Sequence, residues 1–62
     1  MTAKQMEKII LSDGWYLVTI NGSHHNYKHP TKPGKVTIAF HSGDIPPGTL
    51  RNIFKQAGLN KN

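Results

Sequence analysis

Apolar residues recur along this chain with two different periods, and the switches between them mark out its elements. Ala3, Met6, Ile9 and Ile10 fall at helical spacing and form one apolar face of a first helix. Thr2 and Gln5 stand in capping-box relation at its start, each side chain placed to satisfy a free backbone donor. Asp13-Gly14 ends it, because glycine adopts the left-handed backbone that closes helices. Trp15 to Ile20 (WYLVTI) is aromatic and β-branched and predicts a strand. Both faces of that strand are apolar, so the pattern does not say which one points inward. Asn21-Gly22 predicts a tight hairpin turn, followed by a second strand from about His24 to His29.

Pro30 to Gly34 reads as a loop, and Lys35 to His41 as the cleanest strand. Val36, Ile38 and Phe40 occupy one face of it, with Lys35, Thr37, Ala39 and His41 on the other. Ser42-Gly43-Asp44 breaks the strand, and Pro46 and Pro47 suit a helix entrance, where a missing N–H does no harm. Leu50, Ile53, Phe54 and Ala57 then give a second amphipathic helix closed by Gly58, and Asn60-Lys61-Asn62 reads as a frayed tail. The expected fold is α+β in the order α-β-β-β-α, one domain over residues 1–62. Each element has one apolar side to hide, so a three-stranded antiparallel sheet with both helices on one face is the economical arrangement. The other sheet face is then wet. Trp15, Met6, Leu50 and Phe54 are assigned to the core, since a chain this short buries only about 60% of the surface it exposes when unfolded.

Composition narrows the class of partner. Eight Lys and Arg stand against three acids, a net charge of +5, with four histidines in addition. Such a balance points to polyanions before membranes. No apolar run approaches the roughly 18 residues of a membrane span, and no secretory signal opens the sequence. With no cysteine in the chain, disulfides and thiolate metal sites are excluded, and a cytoplasmic location is expected.

Candidate chemistry gathers around Gly22-Ser23-His24-His25. Gly22 permits close approach of a polyanion, Ser23 adds a hydroxyl, and the backbone N–H groups of both can stabilise charge. A histidine at the end of a hairpin is well placed for proton transfer, and imidazole titrates near neutrality. Strand alternation puts His25, Tyr27 and His29 on one face and His24, Asn26 and Lys28 on the other. Lys28, Lys32 and Lys35, interleaved with Tyr27, suggest a phosphate-tracking surface with one stacking residue. Residues four apart on a strand lie about 13 Å from one another, too far to share one metal ion. A cross-strand set such as His24 with His41 lacks a neighbouring carboxylate in sequence. No metal and no cofactor is therefore expected. The spacing leaves His25, His41 and Tyr27 all open as a second proton-transfer group.

The motifs taken together resemble the HicA family of bacterial toxins. The likeness is carried by Asp13-Gly14-Trp15, by Gly22-Ser23-His24-His25-Asn26-Tyr27-Lys28-His29-Pro30, by His41 to Arg51 (HSGDIPPGTLR) and by Gln56-Ala57-Gly58-Leu59. The resemblance implies a fold similar to double-stranded-RNA-binding domains and an activity that cleaves messenger RNA. It implies that His24 is catalytic and that a HicB-type antitoxin blocks the site. Many relatives carry a basic residue in the strand before Gly-Ser-His, where this chain has Thr19 and no charge. Two other classes fit the charge alone: a non-catalytic RNA-binding module, and a basic protein-interaction adaptor.

Overall fold

A computed structural model describes residues 1–59, so the tail read as frayed lies outside the described residues. The elements are α1 (Ala3–Ser12), β1 (Tyr16–Asn21), β2 (His24–Lys28), β3 (Val36–Ala39) and α2 (Pro47–Gln56). The expected α-β-β-β-α order is therefore the observed one.

Both helices end where their chemistry dictates. Thr2 and Gln5 form the reciprocal capping box, with Thr2 N–H donating to Gln5 Oε1 at 2.8 Å and Gln5 N–H to Thr2 Oγ1 at 3.2 Å. Asp13 caps the other end of α1, and Gly14 follows with φ +105°. In α2, Pro47 takes the first helical position, where its missing N–H costs no hydrogen bond.

The strands pair in the order β1-β2-β3, antiparallel throughout. Tyr27, Val36 and Ile38 point to the side covered by the helices and are fully buried. They pack with Ala3, Met6 and Ile10 of α1, Ile53 of α2, Ala57 and Trp15 into one core. Each large side chain of this set contributes roughly 1.5–3 kcal/mol by leaving water. Phe40, Leu50 and Phe54 close the margin of that core.

β1 departs from the expected pattern. Trp15 sits just before the strand, 2% exposed, with its Nε1 donating to the Ala57 carbonyl at 3.3 Å. Every residue of β1 itself is exposed. The helices pack over β3, and β1 extends beyond them as a sheet edge. Its register with β2 shifts between Leu17 and Thr19, so Val18 is an extra residue, a β-bulge. The bulge changes the phase of the strand, which explains why neither face reads as inward from alternation. Leu17, partner of Tyr27, and Ile20, partner of His25, both lie on the helix side. Tyr16, Thr19 and Asn21 lie on the open side.

A brace ties the ends of both helices to the loop after β2. The His29 Nδ1 atom accepts the backbone N–H groups of Thr31 and Lys32, each at 3.1 Å, so the ring proton sits on Nε2 and is donated to the Asp13 carbonyl at 2.8 Å. Lys32 Nζ then reaches Asp13 Oδ2 at 2.5 Å and the Ala57 carbonyl at 3.0 Å. A lysine at a helix C-terminus satisfies a free carbonyl and complements the helix dipole.

Candidate active site on the open sheet face

The turn between β1 and β2 is made by Gly22 and Ser23, one residue later than the Asn21-Gly22 pair expected. Asn21 is still in the strand, directly opposite His24. Gly22 has φ +60° and no other residue type in the described chain has positive φ. Glycine at the first turn position suits the type II′ hairpin, whose twist matches that of the strands. The Ser23 carbonyl accepts the Phe40 N–H at 2.8 Å, which carries the pairing with β3 up to the turn. His24 is thus the first residue of β2 and is flanked by both neighbouring strands: Asn21 on one side, Ala39 on the other.

His24 projects from the open face. Two residues beyond Ala39 along the same side comes His41, also exposed, and the two imidazoles meet edge to face with ring centroids 6.5 Å apart. That separation makes the two rings neighbours on one face of the sheet.

The other two candidates for a second proton-transfer group lie on the covered side. His25 stacks on Phe40, centroids 3.9 Å apart and planes at 22°, and its buried Nδ1 has no hydrogen-bond partner. Tyr27 belongs to the core, fully buried, its hydroxyl donating to Glu7 Oε2 at 2.5 Å. Burial first, and the bond to Glu7 second, push the Tyr27 phenol well above its ordinary value of 10. Tyr27 is therefore unavailable as the stacking residue that the sequence pattern suggested. The alternation itself was sound; what it could not say was which face the helices cover.

The lysines divide as well. Lys28 is exposed on the open face, and Lys35 is exposed immediately before β3. Lys32, grouped with them by sequence, is drawn away into the Asp13 brace. In the middle of the open face, Asn26 bridges all three strands. Its Nδ2 donates to Thr19 Oγ1 at 3.1 Å, and its Oδ1 accepts from Thr37 Oγ1 at 2.7 Å.

Two of the three acids of the chain lie off this face, and the third stands at its margin by His41. Glu7 is engaged by Tyr27 beneath the sheet and Asp13 by Lys32 at the end of α1, while Asp44, in the loop before α2, pairs with the Met1 amino group at 3.3 Å and lines a hollow with Ala39 and His41. From Lys28 through Asn26 to His24 the open face consequently carries cationic and neutral groups, with Asp44 at the far margin by His41. Among the described residues, no cluster of three or more His, Asp or Glu side chains is arranged to hold a metal ion.

Tyr16 was not singled out by sequence. It is half exposed and pairs with Lys28 on the face that bears His24. Its signal was the register of β1, which the bulge at Val18 conceals. The chain matches the sequence model of one protein family, the HicA toxin of bacterial toxin–antitoxin systems, over residues 3–59. No curated protein matches it.

Proposed function

Because the chain belongs to the HicA toxin family, with a toxin's role and an antitoxin for partner, we propose that it is a metal-independent endoribonuclease acting on messenger RNA. The observation that carries this reading is the pairing of His24 with His41 on a solvent-facing surface.

One imidazole enters neutral and takes the proton from a ribose 2′-hydroxyl. The 2′-oxygen bonds to the adjacent phosphorus as the bond from phosphorus to the 5′-oxygen breaks. The second imidazole, entering protonated, gives its proton to that departing oxygen. The products are a 2′,3′-cyclic phosphate and a free 5′-hydroxyl, with protons and electrons balanced. The nucleophile is internal to the substrate, so its proximity to the phosphorus is built in. Lys28, Lys35 and the N–H groups of Gly22 and Ser23 are the groups able to offset charge developing on the phosphate.

A HicB-type antitoxin would silence the toxin by covering this face. The expected location is the cytoplasm, where messenger RNA is available; no helix among the described residues is long and apolar enough to cross a membrane. The decisive experiment compares RNA cleavage and growth arrest for the native chain and His24→Ala, with folding confirmed for both. Undiminished cleavage by the variant removes His24 from the mechanism, and loss of native cleavage in excess EDTA removes the metal-independent route.

A further inference from the structure

We propose that the open sheet face binds single-stranded RNA with one base stacked on Tyr16 and an adjoining phosphate beside Lys28; the ligand's identity as RNA rests on the ribonuclease reading above. Tyr16 and Lys28 are cross-strand partners on the side of the sheet away from the helices. The phenol ring is half exposed, at the sheet edge, where no neighbouring strand limits access to it. Exposed aromatic rings beside cationic side chains are the general device for holding single strands, because every base has a face to stack and every step a phosphate.

Charge and distance support the same path. Lys28 lies four residues along β2 from His24, about 13 Å in an extended strand. A short piece of RNA can therefore reach from the stacking position to the histidine pair. The ground between them is the uncharged polar row of Thr19, Asn26 and Thr37, hydrogen-bonded across the sheet. No carboxylate interrupts it. Lys4, Lys8, Arg51 and Lys55 stand on the helices, whereas the open face, with Lys28 and Lys35, suits a short single strand better than a duplex, whose recognition depends on phosphate contacts spread across successive grooves. Likeness to a duplex-binding fold does not fix which surface of that fold is used.

The test uses the full chain carrying His24→Ala, so that RNA survives, and measures anisotropy of a labelled oligouridine single strand and of a duplex of equal length. Tyr16→Ala added to that background is expected to weaken single-strand binding roughly five-fold or more, the worth of one stacked base. Tyr16→Phe keeps the ring and is expected to stay within about two-fold of the parent. Lys28→Ala should flatten the dependence of log affinity on log salt by about 0.7, one released phosphate contact. Near-ultraviolet circular dichroism of Trp15 confirms that each variant is folded. Equal affinity of the Tyr16→Ala and parent proteins for the single strand overturns the proposal, and so does preference for the duplex. Cleavage by the native chain is scored separately: failure there sinks the ribonuclease reading and leaves the binding result to be judged alone.

Discussion

His24 opens β2 and His41 follows the end of β3, its neighbour in the sheet; the two are 17 residues apart in the chain, and their rings lie edge to face with centroids 6.5 Å apart. The register that pairs His24 with Ala39 is what sets this distance. A one-residue slip of β3 would send His41 to the helix side.

Removing either ring should therefore be costly in a way that pH resolves. A single acid or base contributes about 100- to 10,000-fold. His24→Ala and His41→Ala are each expected to lose a factor in that range. The native pH–rate profile should be bell-shaped, and each variant should keep only one limb. A His41→Ala protein with unchanged rate and both limbs would show that the second group lies elsewhere.

Acid stability should depend on Lys32. Its hydrogen bond to Asp13 holds the carboxyl below the ordinary 3.8, against the upward push of partial burial, and the charge of Lys32 adds to the lowering. A depressed carboxyl contributes stability that is present above about pH 4 and lost as pH falls through the folded-state value. Melting temperature should fall more steeply between about pH 4 and pH 2 in the native protein than in Lys32→Met. Parallel curves would mean that the bridge carries no net stability in solution.

Tyr27 makes the opposite prediction at high pH. Its hydroxyl is raised above 10 by burial and by Glu7, so its contribution is complete below about pH 10 and lost as pH rises further. Tyr27→Phe should lack that alkaline decline. At neutral pH it should cost about 1–3 kcal/mol, because the Glu7 carboxylate loses its donor. Urea titrations at pH 7 and at high pH measure both effects.

Two glycines separate backbone strain from crowding. Gly34 has φ +79° and open space around an added Cβ, so Gly34→Ala should cost about 1–2 kcal/mol from conformation alone. Gly14 has φ +105°, and a Cβ there would lie 2.8 Å from His29 Nε2. Gly14→Ala should cost more, and the displaced His29 should lose its bond to the Asp13 carbonyl. Equal losses in denaturant titrations would show that the ring yields freely.

Much of the fold was legible because its signals are local. Thr2 with Gln5, Gly14, and the prolines at 46 and 47 act within a turn of where they stand, and Val36, Thr37, Ile38 and Ala39 alternate without interruption. What escaped depends on partners distant in sequence. Lys32 read as a surface cation because Asp13 and Ala57 are 19 and 25 residues away. Tyr27 read as a surface stacking residue and Tyr16 was not singled out for a related reason: alternation sorts residues into two faces but does not say where the helices lie. His24 stood out from its turn and motif, whereas His41 emerged from three candidates only once the strands were in register.

The bulge at Val18 also bears on length variation. A regular strand that loses one residue turns every side chain beyond the loss to the other face. β1 holds one residue more than its partner requires, so it can give one up between Leu17 and Thr19 and straighten, with Trp15 still in the core and His24 still opposite Asn21. Single-residue deletions should thus be tolerated in this strand and nowhere else in the sheet, and a deletion scan ought to show its gap there.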